Sequence, residues 1–410
     1  MTCPTFSSLL DAPTIATDLG LKKTSRLMLP LMGYVKNGLM DYKIMPLEDE
    51  LPFESPEEAF IRMSRSILSS LNIEKSKYKL EWEEIPEGSH ENIAAVDGGS
   101  GILFLNQGQV MFLTSSSLFQ RDERIRRSRK YHMGVLDVFA HNERVSICRK
   151  TMEVKMAIRT VESLNPDLLL LDGSLKAFVD GDIWATPFGS RYPASDVRKF
   201  LDKLLMGIEG MGLDLASGFV PLTHSQEYSR EIDAMIGEVL EGSGGTLRKD
   251  ELLRARAYLE RYEFLYSMNK LLSMSKNVVA ISKRSGSNAY FGSEIPDIEI
   301  VRRCYEMRPG FLKPISMNLD FQYHGIDSSY PIKLTYARLE RGANVLRIEV
   351  LGDREDIGEI LGSLARDSIK GYPYHLRIAH EMAKVGRKLI QFLTKNLHLD
   401  LVSGREVLGE

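Results

Sequence analysis

Short, unbroken runs of apolar residues mark the first elements that the chain predicts. Residues 167–175 read Asp-Leu-Leu-Leu-Leu-Asp-Gly-Ser-Leu, so four leucines lead directly into Asp172. A continuous apolar run of this length is typical of a strand that is covered on both faces, as in a central parallel sheet. The pattern therefore predicts a buried strand with Asp172 at its end.

A second apolar run has the same ending and lies earlier in the chain. Residues 93–105 read Ile-Ala-Ala-Val-Asp-Gly-Gly-Ser-Gly-Ile-Leu-Phe-Leu, so four apolar residues lead to Asp97 and three glycines follow. This pattern predicts a strand that ends at Asp97, a turn and a returning strand. The small residues 98–101 would let a metal-bound phosphate approach the backbone. The alternative interpretation is a plain hairpin with an Asp-Gly turn.

Other stretches repeat their apolar residues with the spacing of helices. A long helix is predicted over residues 145–164, which include Glu153, and Pro166 follows it. Residues 190–275 have helical periodicity and are interpreted as a helical insertion. Residues 1–90 are interpreted as a mostly helical N-terminal extension.

The remaining predicted elements are several strands and one short helix. A helix is predicted after Pro373, and it carries His380. A strand predicted at residues 277–282 ends in Lys283 and Arg284, whose charges either lie on the surface or bind a substrate phosphate. Further strands are predicted at 101–105, 110–113, 332–339 and 345–351.

Composition and charge narrow the classes of function. The 410 residues are 43% hydrophobic, which supports a sizeable core. The net charge of -3 argues against a generally basic nucleic-acid coat, so a nucleic-acid site would be a local feature. Residues 121–131 hold five arginines and Lys130, and they form either a solvated face or a contact with a phosphate backbone.

Cysteine use and hydropathy suggest where the chain works. The three cysteines are widely scattered and form neither a zinc motif nor a disulfide framework, which favours a reducing compartment. No apolar run approaches the roughly 18 residues that a membrane span needs. The sequence therefore predicts a cytoplasmic protein with no membrane segment.

The two acid-terminated strands carry the candidate chemistry. Neighbouring strands would bring Asp97 and Asp172 to one edge of a sheet, which is an arrangement that binds divalent metal ions. Glu153 lies on the helix that leads into the Asp172 strand, and it either joins the two aspartates or faces solvent. His380 is either a structural residue or a part of this site.

At this point the residues resemble a known family, the NurA nucleases of archaea and some bacteria. The similarity covers about residues 90–400 and is carried by motifs in a fixed order. Ala95-Val-Asp-Gly-Gly-Ser resembles the first acidic strand of the family, and Leu171-Asp-Gly-Ser-Leu, downstream of Glu153, resembles the second. Gly371-Tyr-Pro-Tyr-His-Leu-Arg-Ile-Ala-His-Glu is similar to the closing Tyr…His signature, and it is the most specific of the three.

The resemblance implies a fold. It implies an α/β protein with a ribonuclease H-like mixed β-sheet core flanked by helices. A nuclease domain over residues 91–400 would contain the helical insertion at about 190–275, and residues 1–90 would form an extension before it.

The resemblance also implies an activity and its partners. It implies a manganese-dependent nuclease, with magnesium as a possible substitute, that has 5′-to-3′ DNA exonuclease and single-strand endonuclease activity. It further implies a homodimer that works with the hexameric ATPase HerA in DNA-end resection.

Carried over residue by residue, the resemblance places Asp97, Glu153 and Asp172 at the metals and Tyr372 and His380 among the catalytic residues. Their carboxylates are the hard oxygen ligands that Mg²⁺ and Mn²⁺ prefer. His380 would bind a metal or shuttle a proton, and Tyr372 would orient the scissile phosphate or stack on a base.

Two other classes of protein fit parts of the pattern. ATP-dependent sugar kinases and actin-like proteins also begin with a strand, an aspartate and phosphate-binding glycines, but they need a second glycine-rich phosphate loop. A catalytically silent clamp or adaptor for a DNA-translocating ATPase is the other alternative, although the acids at positions 97, 153 and 172 argue against it.

Overall fold

The computed structural model of the chain describes residues 81–105, 108–121, 124–136, 141–179, 194–241, 249–305, 307–353 and 356–396. The helical extension predicted for residues 1–90 lies almost entirely outside the described residues and stays a prediction. The strands and helices predicted for residues 91–400 fall mostly within the described part of the chain.

The strands are β1 (Trp82–Glu83), β2 (Ile93–Leu105), β3 (Gly108–Arg121), β4 (Arg124–Leu136), β5 (Leu168–Asp172), β6 (Val278–Ser282), β7 (Gly310–Leu312), β8 (Ile315–Tyr323), β9 (Ile326–Arg338), β10 (Leu346–Leu351), β11 (Ser368–Ile369) and β12 (Tyr372–Pro373). The helices of the described residues are α1 (His141–Leu164), α2 (Leu175–Val179), α3 (Ala194–Gly210), α4 (Ser229–Glu241), α5 (Lys249–Met274), α6 (Asp297–Cys304), α7 (Ile357–Arg366), α8 (Tyr374–Ala383) and α9 (Arg387–Asn396), and a 3₁₀ turn lies at Leu222–His224.

One mixed sheet runs through the described part of the chain. Ten strands take the order β1-β7-β9-β10-β6-β5-β2-β3-β4, and β8 pairs with β9. The neighbours of β5, which are β2 and β6, run parallel to it, whereas the other pairs in this sheet are antiparallel. The predicted mixed α/β class is therefore confirmed, and β5 lies at its centre.

Helices cover both faces of the sheet at β5. Leu169 and Leu171 belong to the apolar cluster that contains residues of α1 and α5. Leu168 and Leu170 point the other way, into the cluster that contains residues of α7 and α8. This is the two-sided burial that the unbroken leucine run predicts.

Helix α1 delivers the chain to β5, as predicted. Asn165 follows the helix in a left-handed conformation, with a φ of 41°, and its N–H donates to the carbonyl oxygen of Val161. This conformation at the first residue beyond a helix is favoured by glycine and tolerated by asparagine. Pro166 cannot continue the helix, so the chain turns at once into β5.

Buried ion pairs join α1 to α5 on the same face of the sheet. The Arg144 guanidinium donates two hydrogen bonds to the Glu260 carboxylate, at 2.7 and 2.9 Å. Further along the same two helices, the Lys155 ammonium lies 2.5 Å from the Glu263 carboxylate. All four side chains are almost fully buried. The insertion predicted at 190–275 therefore includes a helix, α5, that is part of the core.

The glycine-rich stretch differs from its prediction. Residues 93–105 form one continuous strand, β2, with neither a turn nor a separate returning strand at 98–101. The reason is its neighbour β3, which pairs with β2 along its whole length, from Ile93 opposite Gln120 to Leu105 opposite Gly108. The predicted strand at 110–113 is likewise only a part of β3.

Among the described residues, no helix is both long enough and apolar enough to span a membrane.

Candidate active site

Asp97 and Asp172 lie side by side on neighbouring parallel strands. Val96 of β2 pairs with Leu171 of β5, and this ladder ends there. The next residue on each strand is an aspartate, so both carboxylates face the same side of the sheet. Asp97 is thus in the middle of a strand, but it lies just beyond the last parallel pair.

Helix α8 brings His380 to Asp97 from this side of the sheet. His380 Nδ1 lies 2.8 Å from Asp97 Oδ2. The donor atoms of Asp97, Asp172 and His380 all lie within 4.8 Å of one another. The hydroxyl of Ser116 on β3 donates to the Ala379 carbonyl oxygen at 2.7 Å, which fixes the helix over the sheet.

Glu153 reaches the site from the opposite face of the sheet. It lies on α1, and it is only 2% exposed. Its Oε2 accepts a hydrogen bond from Arg149 Nη1 at 3.2 Å, and its buried Oε1 has no hydrogen-bond partner among the described residues. Gly98, next to Asp97, faces this helix and leaves room for the carboxylate.

Tyr372 and Lys283 complete the cluster on the side of Asp172. The Lys283 ammonium lies 3.7 Å from Asp172 Oδ2 and 3.8 Å from the centre of the Tyr372 ring. The buried hydroxyl of Tyr372 makes no hydrogen bond of good geometry within the described residues, although the Asp172 charge acts on it. Arg284, the next residue after Lys283, is exposed.

The three acids repel one another's charge. Burial, followed by the charge of Asp172, raises the pKa of Asp97, while hydrogen bonds from His380 and Gly98 oppose this rise. Burial raises the pKa of Glu153 well above 4.5, and the charges of Asp97 and Asp172 add to the rise that Arg149 opposes. Burial and the Asp172 charge also raise the pKa of Tyr372, so its hydroxyl keeps its proton.

These residues fit a divalent cation. Carboxylate oxygens are the ligands that suit Mn²⁺ and Mg²⁺, and a neutral imidazole nitrogen is a common metal ligand as well. Glu153 Oε1 is buried without a partner among the described residues, and the pKa values of Asp97 and Glu153 are raised. A bound cation would give this oxygen a partner and offset the repulsion between the acids. Within the described residues, the cluster of Asp97, Asp172 and His380 is the one at which Glu153 also converges.

A further network, which the sequence did not predict, holds the turn after Asp172. The Ser174 hydroxyl donates to Glu349 Oε1 at 2.8 Å, and the Lys176 N–H donates to Glu349 Oε2 at 3.3 Å. The Arg347 guanidinium donates to the same carboxylate at 2.8 Å. The signal was visible, because two charged residues alternate within the apolar strand β10.

The sequence prediction for residues 98–101 changes in one respect. A Cβ on Gly99 would overlap the Ala383 carbonyl group at the end of α8, and one on Gly101 would overlap Ile390 of α9. The space beside these glycines is therefore filled by the protein's own helices. It is not the open approach for a phosphate that the sequence suggested.

Comparison with known proteins gives a consistent result. The model of the NurA domain family matches residues 91–385. The chain is 25% identical over 337 residues to the probable DNA double-strand break repair nuclease NurA of Methanocaldococcus jannaschii, which covers 75% of this chain and 77% of that protein. It is 26% identical over 271 residues to the DNA double-strand break repair nuclease NurA of Saccharolobus solfataricus, covering 63% and 67% of the two chains.

A solved structure shares the fold. The crystal structure of NurA bound to dAMP and manganese aligns with this chain at a TM-score of 0.57 and 18% identity, over 86% of this chain and 99% of that one. At this identity the likeness concerns the fold alone.

Proposed function

Because the chain belongs to the NurA domain family, we propose that it is a metal-dependent deoxyribonuclease that hydrolyses phosphodiester bonds in the repair of DNA double-strand breaks. Its relatives are named as nucleases of that process. The proposal assigns Asp97, Glu153, Asp172, Tyr372 and His380 to catalysis, and the first three together with His380 to the cation site.

One observation carries the proposal. Asp97 and Asp172, 75 positions apart in the sequence, occupy matching positions on neighbouring parallel strands and share one face with His380. Two carboxylates that crowd together, one of them buried, cost stability unless a cation offsets their repulsion. A Mn²⁺ or Mg²⁺ ion is the ligand whose chemistry matches them.

The residues divide the chemical work. A bound divalent cation supplies charge neutralisation for the phosphodiester and a water that is nucleophilic at neutral pH. Asp97, Asp172 and Glu153 hold their carboxylates at fixed positions, because two lie on core strands and one lies on a buried helix. His380 donates from Nδ1 to Asp97 in one tautomer, which leaves a lone pair on Nε2. Nε2 is then the atom of His380 that binds the cation or takes up a proton, and both roles belong to the proposal.

Lys283 and Tyr372 act on the substrate in this proposal. The Lys283 ammonium is about half-exposed and adjacent to Asp172, so it can contact a phosphate that approaches the acids. The Tyr372 hydroxyl stays protonated and therefore donates a hydrogen bond to an anionic oxygen. Exposed Arg284 extends the positive charge outward for the DNA strand.

We also propose a ribonuclease H-like core. Strands β4-β3-β2-β5-β6 support it, since three antiparallel strands are followed by two that run parallel to β2. The proposed nuclease domain spans residues 91–400, with an insertion at about 190–275 and an extension at 1–90.

The finer properties of the family belong to the same proposal. These are 5′-to-3′ exonuclease and single-strand endonuclease activity, a homodimer, and joint action with a HerA-type hexameric ATPase at DNA ends. The motifs that resemble the family support them.

The basic segment at residues 121–131 is proposed to contact the DNA backbone. Most of it forms β4, an edge strand whose first eight residues are all exposed and include five basic side chains and no acid. Arg129 lies opposite Ser116, which in turn lies opposite Asp97, so the Arg129 side chain projects from the same face of the sheet as Asp97 and Asp172. The Arg129 guanidinium lies 5.1 Å from the centre of the Tyr131 ring.

The kinase-like alternative loses its main support. It depended on a glycine loop that cradles phosphates, and residues 98–101 form a paired strand. The adaptor alternative is decided by activity.

The test is cleavage of end-labelled DNA by the purified chain, with Mn²⁺ and with EDTA. Wild type is expected to cleave only with the metal. Asp97→Ala is expected to lower the cleavage rate by at least about 100-fold, because removing a metal ligand costs more than removing a residue that only orients one. Asp327→Ala, an exposed aspartate on β9, is the matched control and keeps full activity. The assay is repeated with the ATPase partner. Equal cleavage by wild type and Asp97→Ala would contradict the proposal, and no cleavage in either assay would favour the adaptor.

A further inference from the structure

A single side chain ties Glu153 to the backbone beside Asp97. Arg149 Nη1 donates to Glu153 Oε2 and to the Gly98 carbonyl oxygen, each at 3.2 Å. One guanidinium thus connects helix α1 to strand β2 at the residue that follows Asp97. The Arg149 side chain is 24% exposed, whereas that of Glu153 is 2% exposed.

The absence of a side chain at Gly98 makes this connection possible. A Cβ at Gly98 would lie 3.1 Å from Arg149 Cγ, 3.1 Å from Glu153 Oε2 and 3.2 Å from the Arg149 carbonyl oxygen. All three distances are tighter than ordinary van der Waals contact, and one of the atoms belongs to rigid helix backbone. Alanine at this position would push the helix, the guanidinium or the carboxylate away.

We propose that Arg149, accommodated by Gly98, is a positioning residue that aims the Glu153 carboxylate at the cation site. The inference rests on the proposed function and adds a residue to it. Arg149 occupies Oε2 and leaves Oε1, which is buried and has no partner among the described residues, as the oxygen directed to the cation.

Arg149 orients Glu153 through a hydrogen bond and does not itself bind the cation. Glu153 is a flexible side chain on a helix, and it must cross to the site from the face opposite to Asp97. A fixed donor four residues earlier on the same helix limits its rotamers. The positive charge also opposes the rise in the pKa of Glu153 that burial causes.

The primary experiment measures Mn²⁺ binding, without DNA, from the electron paramagnetic resonance signal of free Mn²⁺. Arg149→Met removes both hydrogen bonds at similar volume and is expected to weaken Mn²⁺ binding by about 10- to 100-fold. Arg149→Lys keeps the charge and is expected to fall between Arg149→Met and wild type. Arg159→Met is the matched control, because it removes an exposed arginine from the same helix without touching Glu153.

A second variant tests the same connection without altering a charge. Gly98→Ala is expected to weaken Mn²⁺ binding in the same direction, with Gly210→Ala, which has open space around its Cβ position, as its control. Thermal melting in EDTA checks that each variant folds, and if Arg149→Met does not fold, Arg149→Lys and Gly98→Ala decide. Cleavage kinetics are measured next. Each variant is expected to need a higher Mn²⁺ concentration than wild type to reach its half-maximal rate.

The outcomes separate the two levels of the argument. Wild-type Mn²⁺ affinity in Arg149→Met and Gly98→Ala would overturn the positioning role, as would an equal loss in Arg159→Met. A wild-type chain that binds no Mn²⁺ would instead overturn the proposed function on which the inference rests.

Discussion

At the scale of single residues, the acids of the candidate site are placed against their own charge. Asp97 is 4% exposed and Glu153 is 2% exposed, and each has another carboxylate nearby. Such placement is expected where a ligand, rather than the fold, selects the residues. It gives the metal-free chain a characteristic dependence on pH.

Stability of the metal-free chain is expected to fall as pH rises above the ordinary carboxyl pKa values of 3.8 and 4.5. Burial raises the pKa of Asp97 and of Glu153, so the folded state binds these protons more tightly than the unfolded state does. Their contribution is therefore favourable at the acid end and is lost as pH climbs toward the raised values. Urea denaturation in EDTA from pH 5 to pH 8 measures this, and Glu153→Gln is expected to flatten the curve. Parallel curves for the two proteins would contradict the assignment.

At the scale of elements, the sequence predicts the structure correctly where the residues of one element alone set the pattern. The leucine run of β5 and the apolar face of α1 depend on their own residues, and both were predicted. The stretch at 93–105 was predicted wrongly because its glycines signal a turn locally, whereas a 14-residue partner, β3, keeps the strand extended. Arg149 was missed because its role depends on Gly98, 51 positions away.

The packing of α1 on α5 gives a second prediction. Glu260→Gln leaves the buried Arg144 guanidinium without its counter-charge and is expected to cost about 3–5 kcal/mol of unfolding free energy. Glu299→Gln, which breaks the exposed pair with Arg302, is the control and is expected to cost less than about 1 kcal/mol. Chemical denaturation of both variants measures the difference. Equal, small losses would show that α5 is not held by this pair.

Strand β4 gives a third prediction. Replacing Arg127 and Arg129 together by alanine is expected to weaken DNA binding regardless of sequence and to lower the slope of log affinity against log salt by about 1.4 to 1.8. Fluorescence anisotropy in EDTA, at several salt concentrations, measures this without cleavage. Replacing Arg198 and Lys199, exposed on α3, by alanine is the control. An unchanged slope in the β4 variant would favour a purely solvated face.

At the scale of the whole molecule, the site is a product of topology. The sequence shows two aspartates that follow apolar runs, but only the parallel pairing of β2 with β5 puts Asp97 and Asp172 on one face. The sequence also supplied Glu153 without its direction, because a helix can cover either side of a sheet. Residues 370–380 carried the closing motif, and its link to Asp97 depends on α8 lying over β3.

The same topology predicts how metal binding spreads. Because Glu153 lies on α1 and His380 and Asp97 meet under α8, Mn²⁺ is expected to slow amide hydrogen exchange in both helices. At a free concentration of 100 times the Kd, the protection from global unfolding is about 2.7 kcal/mol. Exchange measured by mass spectrometry with and without Mn²⁺ tests this, and Asp97→Ala is expected to abolish the effect. Protection confined to one helix would contradict a site built from both faces.

Because acids reach one point from opposite sides of the sheet, catalysis depends on how α1 and α8, which cover its two faces, are aligned with each other. A displacement of either helix by a fraction of an ångström would separate the metal ligands, although all helices would remain intact. On gradual heating, enzymatic activity is therefore expected to disappear before the circular dichroism of the helices does.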